Sequence, residues 1–302
     1  MNRAVIASDS NPDYSFYLPI VSLFWRLLNY RPLVLLVGSA DAWMADPRLC
    51  LAVERAREVG AELYFLGDFQ NVRTSTAAQM ARIFGALAPG VELDEYLLIS
   101  DMDMVPLGSW IDQAGGDGLT VLYANAYSQS EYVHYPMCYV GARAAVWHDV
   151  VMGSYDAPTV DLSRLRAALA GALSQAPEDV DGAWNYDERY LGARIAAWRE
   201  RPDIAYPLDA QERVSAIIHP VTLVDRDFSE GQWRIDRSSW DETMARVRKR
   251  GSLDGAADAH LPRPGWTEEW WPRILPLLEM ALPERFVRWV CEYREAWCAL
   301  YR

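Results

Sequence analysis

A chain of 302 residues with 51% hydrophobic content can bury a sizeable core, as one large domain or a domain with an appendage, and is not a disordered tail. Its 29 Lys and Arg against 42 Asp and Glu leave a formal net charge of −13, which argues against nucleic acid as a partner because phosphate backbones are held by cations. Lys249 is the sole lysine, so Walker-type phosphate loops and Schiff bases have almost nowhere to sit.

Cys50, Cys138, Cys291 and Cys298 show no Cys-x-x-Cys spacing and read as reduced core thiols of a cytoplasmic protein. The N-terminal apolar run is too short for a signal peptide. The stretch from Phe16 to Val37 is broken by Arg26, Arg31 and Pro32, short of the ~20 residues that cross a bilayer, so no transmembrane segment is expected.

In chain order, Arg3 to Ser8 is a first strand, and Asp9-Ser10-Asn11-Pro12-Asp13 is a polar turn at its end. A helix through Leu18, Val21 and Leu28 follows, then a buried strand from Leu33 to Val37 closed by Gly38-Ser39. Asp46 caps a helix with Pro47 at its first position, the stripe Leu49, Ala52, Val53, Ala56 and a terminal Gly60. Glu62 to Leu66 is a third strand, and Ser75 opens a helix with Met80, Ile83, Phe84 and Leu87 on one face.

The fourth unit is the informative one. Tyr96-Leu97-Leu98-Ile99 runs without alternation into Ser100-Asp101-Met102-Asp103, which reads as a strand buried on both faces and ending in two carboxylates, with Pro106 stopping the ladder. Side chains two apart on a strand share a side, so Asp101 and Asp103 converge while Met102 and Met104 face away. Two hard oxygen ligands there suit Mg²⁺ or Mn²⁺ carrying a phosphate-bearing substrate, at the strand edge where open parallel sheets bind ligands. Asp also favours turns, and a lone Asp-x-Asp is a short motif.

The strand-helix alternation implies an α/β fold with a parallel sheet covered on both faces. Leu119 to Ala124 and Met137 to Ala142 are further strands, Leu162 to Leu173 is a helix, and Asn185 caps a helix with Leu191, Ile195 and Trp198 inside. Ile217 to Val224, holding His219, is a last strand. Ser239-Trp240-Asp241-Glu242 is a capping box for a helix that stops at Gly251, with Lys249 in its last turn, where the helix dipole alone explains a cation. Ser252 to Pro264 reads as a linker-like loop. Two aromatic helices close the chain, the first containing Pro276 and the second the stripe Phe286, Trp289, Val290, Tyr293, Trp297 and Leu300. Residues 251–302 are thus expected to form a helical appendage docking on the core or on a second subunit as a homodimer.

The order Ala7-Ser8-Asp9 then Tyr14, Gln79-Met80-Ala81-Arg82, Leu98-Ile99-Ser100-Asp101-Met102-Asp103, Asn185-Tyr186-Asp187-Glu188 and His219 resembles metal-dependent nucleotide-sugar glycosyltransferases of the GT-A fold, in the glycogenin-like and galactosyltransferase-like branch. The resemblance covers roughly the first 225 residues. It implies a Rossmann-like, mainly parallel sheet flanked by helices, residues 1–250 forming the nucleotide-sugar domain, and hexosyl transfer from a UDP-linked donor to a saccharide or other hydroxyl acceptor, as in polysaccharide biosynthesis. Asp101 and Asp103 would hold Mn²⁺ or Mg²⁺, with Asp101 also reaching the donor, and His219 would be the third ligand. Pro220 departs from the pattern expected after that histidine. Ala7, Ser8, Asp9 and Tyr14 would contact the nucleotide, and Arg82 would face the diphosphate or the Asp-x-Asp.

A divalent cation stabilises charge on a departing diphosphate without proton transfer, so no lysine is required. Asp187 and Glu188 are then candidates for work at the anomeric carbon or the acceptor hydroxyl, although acids in a first helical turn also serve the dipole and the cap. Tyr127, Tyr132, Tyr135, Tyr139 and Trp184 could grip a sugar or pack a core. Two other readings stand beside this one. A haloacid-dehalogenase-like phosphohydrolase would use Asp101 and Asp103, but there the motif ends the first strand and a later lysine meets the phosphate. A non-catalytic binding protein would make the Asp-x-Asp accidental.

Overall fold

Apolar runs without alternation suit strands covered on both faces, and Arg3–Ser8, Arg31–Leu36 and Tyr96–Ile99 are buried along almost their whole length. A computed structural model describes residues 2–108, 111, 118–124, 135–153, 161–176, 185–199, 221–224 and 233–301. Its strands are β1 (Arg3–Ser8), β2 (Arg31–Leu36), β3 (Glu62–Phe65), β4 (Tyr96–Ile99), β5 (Met104–Pro106), β6 (Leu119–Leu122), β7 (Val140–Arg143), β8 (Val221–Val224), β9 (Trp233–Ile235) and β10 (Ala256–His260). Its helices are α1 (Pro12–Ser15), α2 (Leu18–Leu27), α3 (Ala40–Ala45), α4 (Pro47–Glu58), α5 (Thr74–Ala81), α6 (Ala144–Met152), α7 (Leu162–Leu173), α8 (Tyr186–Arg199), α9 (Trp240–Arg250), α10 (Trp271–Ala281) and α11 (Glu284–Ala299).

Seven strands form a sheet in the order β3-β2-β1-β4-β7-β6-β8. Pairs β1–β4, β2–β3 and β6–β8 are parallel, and β7 runs against its neighbours β4 and β6. The fold is the α/β, mainly parallel sheet with flanking helices that the alternation implies. Because β1 and β4 are parallel, with Val5 opposite Ile99, the residues that follow both strands leave at the same edge.

A second, three-stranded sheet runs β5-β10-β9. It corrects two expectations. The Asp-x-Asp strand ends at Ile99, Met102 and Asp103 form a turn, and Met104–Pro106 pairs elsewhere, so the period-two argument for Asp101 and Asp103 does not apply. Pro106 is the last residue of β5, an edge strand, where a missing N–H is tolerated. The supposed linker 252–264 contains β10, with His260 opposite Met104 on β5 and Asp258 opposite Arg234 on β9. Its small, polar composition hid a strand too short to show alternation.

The chain divides into two compact units, residues 1–5, 69–100 and 114–225 in one, and 6–68, 101–113 and 226–302 in the other. In the first, Trp147 Nε1 donates to the Leu97 carbonyl at 3.1 Å, and Leu191, Ile195 and Trp198 are buried as the helical spacing requires. Gly85 lets the 3₁₀ turn Arg82–Leu87 lie against Val5, since a methyl group there would collide with the valine.

In the second unit Asp46 accepts from the Arg48 and Leu49 amides at 2.8 and 3.4 Å, capping α4 as its sequence signature demands. Ser239 does precede α9, but its hydroxyl makes no cap bond and lies 3.3 Å from Thr243 Oγ1, so the expected capping box does not form. On α11, Val290, Tyr293 and Trp297 are buried by the chain itself, Phe286 and Trp289 are half-buried, and Leu300 just beyond its end is exposed. Phe16 stacks on Tyr293 at 5.3 Å and meets Trp297, Trp266 and Trp271 edge-on at 5.4, 5.5 and 6.4 Å. Packing within the chain accounts for the buried members of the stripe, Val290, Tyr293 and Trp297. Among the described residues no helix is long and apolar enough to cross a membrane.

Two stability outcomes are expected. Trp297 is fully buried, so Trp297→Ala should cost ~3–5 kcal/mol in chemical denaturation. Arg234 grips the fully buried Asp258 with two bonds of 2.9 and 3.0 Å. Arg234→Met alone should cost ~3–5 kcal/mol, and adding Asp258→Leu should recover much of it, because the penalty lies in a buried charge that has lost its arginine. A double variant as unstable as the single one would contradict this.

Candidate functional site

The Asp-x-Asp turn is tied to the strand that passes it. The Met104 amide reaches back to the Asp101 carbonyl at 3.4 Å, and the Leu261 amide donates to the Asp103 carbonyl at 2.8 Å. That second bond holds Leu261 beside the turn. His260 Nε2 then comes within 3.1 Å of Asp103 Oδ2, and Arg263 Nε sits 3.1 Å from the same oxygen. The far side of the imidazole, Nδ1, is 3.5 Å from Asp236 Oδ2. Asp103 is buried and Asp101 half-buried. The guanidinium of Arg263 also covers the ring of Tyr14, 4.1 Å from its centroid.

Burial opposes a charge on His260. Hydrogen bonds to Asp103 and Asp236, with the fields of Asp103 and Asp101, outweigh it and raise the imidazole to about 9. The hydrogen bond from His260, against some desolvation, holds Asp236 well below the usual carboxylate range. Desolvation lowers Arg263, partly offset by Asp13, and burial with the fields of Asp103 and Asp13 raises Tyr17, so its phenol remains a donor.

Other predicted site residues fall as follows. Ala7, Ser8 and Asp9 are buried where β1 ends. Ser8 Oγ donates to the Asp9 carbonyl at 2.9 Å, and Asp9 Oδ1 accepts from the Asn11 amide at 3.2 Å. Tyr14 is half-buried under Arg263. In the other unit, Arg82 and Asp187 form a buried ion pair at 2.9 Å, with Arg82 Nε also donating to the Gln79 carbonyl at 3.2 Å, and Glu188 is half-buried in the first turn of α8. Tyr139 is a core residue. His219, Tyr127, Tyr132 and Trp184 lie outside the described residues.

The histidine that the structure does place against Asp103 is His260, which sequence reasoning missed. Its signal was one of only four histidines followed, three residues on, by an arginine set between prolines. Two carboxylates and an imidazole are a donor set whose chemistry suits Mg²⁺ or Mn²⁺. Among the described residues no cluster of three or more His, Cys, Asp or Glu side chains stands ready around a metal position, and Asp103 Oδ2 is engaged by His260 and Arg263.

No protein-family model matches the chain, and no curated protein matches it. Among solved structures it is similar to the glycosyltransferase GlyE of Streptococcus pneumoniae TIGR4, at 13% identity and a TM-score of 0.41, over 99% of this chain and 63% of that one. The apo form of GlyE overlays at 12% identity and a TM-score of 0.44, over 99% of this chain and 64% of that one. The chain thus spans under two thirds of the length of these structures, and at such scores neither overlay bears on its chemistry.

Proposed function

We propose that the protein is a divalent-metal-dependent glycosyltransferase that moves a hexose from a nucleoside diphosphate sugar, UDP-linked, to a hydroxyl of a saccharide or similar acceptor. The observation that carries the reading is the convergence of His260 and Arg263 on Asp103, beside Asp101, in the turn that follows a central parallel strand. Ligands of such sheets bind where the strands end. Asp101, Asp103 and His260 would hold Mn²⁺ or Mg²⁺. When bound, that ion stabilises the negative charge of the leaving diphosphate.

The remaining work falls to the chain's own residues. Arg263, released from Asp103, is the cation nearest to hand for a phosphate oxygen, a role for which a planar guanidinium is suited. Ala7, Ser8, Asp9 and Tyr14 would line the nucleotide. Asp187, its position set by Arg82, and Glu188 are the carboxylates for the anomeric centre or the acceptor proton. The lone lysine, exposed in the last turn of α9, leaves a lysine-dependent phosphohydrolase without its partner.

Asp101→Asn and Asp103→Asn should each weaken Mn²⁺-dependent binding of UDP by more than ~100-fold in calorimetry, since even outer-shell partners of a metal ligand are worth 10–100-fold. Unchanged binding in both variants would end the assignment. Asp187→Asn should depress sugar transfer far more than it changes UDP affinity, the mark of an interaction that matters in the transition state. Because it also breaks a buried pair, its folded fraction must be measured alongside. A wild type that cleaves simple phosphomonoesters with Mg²⁺ and ignores every nucleotide sugar would replace the transferase reading.

A further inference from the structure

The segment that carries His260 and Arg263 has few main-chain anchors of its own. Pro262 and Pro264 have no N–H to donate, so after the Leu261 amide has bonded to Asp103 the chain is steered by what its carbonyls accept. The Pro262 carbonyl accepts from the hydroxyl of Tyr17. Tyr17 is fully buried at the start of α2, and Gly265 makes room for its phenol, because a methyl group at that position would collide with the hydroxyl. The Pro264 carbonyl accepts from Thr267 Oγ1 at 3.0 Å, and that of Trp266 accepts from Arg294 Nε at 2.9 Å.

Tyr17 is itself located by the aromatic cluster. Its neighbour Phe16 lies at the centre of that cluster, and Tyr293 Oη on α11 donates to the Phe16 carbonyl at 3.0 Å. A continuous set of contacts therefore runs from α11 through Phe16 and Tyr17 to Pro262, between the two side chains that meet Asp103.

We propose that Tyr17 is a positioning residue for the Asp103 cluster, its bond to the Pro262 carbonyl setting residues 260–263 so that His260 and Arg263 converge there. The proposal rests on the transferase reading for what the cluster binds. Tyr17 itself touches neither nucleotide nor metal in this account. The C-terminal helices, expected from sequence to be only an appendage, then bear on the site through it.

Tyr17→Phe deletes one hydroxyl and keeps the ring. Three results are expected of it. UDP binding with Mn²⁺ should weaken by about tenfold, the scale of one buried hydrogen bond. Exchange of the Leu261 amide, measured without ligand, should quicken while amides of Val290 to Trp297 keep their protection. Combined with Arg263→Gln, the loss of affinity should be less than the product of the two single losses, because both act through one contact set. Should Tyr17→Phe fail to fold, Gly265→Ala, which crowds the phenol away from Pro262, carries the same expectations. Wild-type affinity and wild-type Leu261 exchange in the variant, or losses that simply multiply, would overturn the inference while leaving the transferase reading intact. A wild type that binds no nucleoside diphosphate with Mn²⁺ ends that reading and this role with it.

Discussion

Everything at the candidate site depends on the pairing of β10 with β5. β5 begins one residue after Asp103, and β10 ends on His260, so the strand register decides which side chain meets the carboxylate. A slip of one residue would turn His260 to the opposite face. The register is held from both sides. Leu107 and Leu261 amides bond across to the Ala257 and Asp103 carbonyls at 2.9 and 2.8 Å, and Arg234 clasps Asp258 from β9. Asp236 and His260 repeat that cross-strand charge pairing two residues on, at 3.5 Å. Two cross-strand charge pairs thus lie in succession along β9 and β10.

The electrostatic character of the cluster follows from composition. A chain with a formal charge of −13 and one lysine must neutralise clustered carboxylates with arginine, histidine or an added cation. Asp103 and Asp236 are met here by His260, Asp103 also by Arg263, and Asp101 adds its field at His260. Carboxylates this close to cations in a partly buried setting gain from charged hydrogen bonds, and each lost partner leaves a costly charge behind. Such a cluster is held in one arrangement until a stronger cation or anion competes for its members. That competition is the physical content of the proposed donor binding.

Much of the sheet was legible in the sequence because its strands are apolar runs separated by strongly capped helices. Asp46-Pro47 with the stripe to Ala56 specifies α4 by itself. The apolar run Tyr96–Ile99 leading toward two acids is plain in the sequence, while the local geometry of those acids is not. Hydrophobic pattern cannot show where a strand yields to a turn when Met102, Met104 and Val105 on the far side are equally buried. β10 was invisible because Ala256, Ala257 and Ala259 are small, Asp258 is polar, and burial of that aspartate requires an arginine 24 residues away. His260 was lost with it. Long-range partners of this kind leave no periodicity to read. The stripe on α11 was plain as a stripe, but which surface it covers depended on Phe16, 277 residues distant from Tyr293.

The most direct measurement is a crystal structure of the protein soaked with Mn²⁺ and UDP, with the metal located by its anomalous scattering. The account predicts one strong peak within coordination distance of Asp101, Asp103 and His260, with Arg263 turned from Asp103 toward the diphosphate. A manganese ion bound elsewhere, with the His260 and Arg263 contacts to Asp103 unchanged and UDP away from the turn, would contradict it.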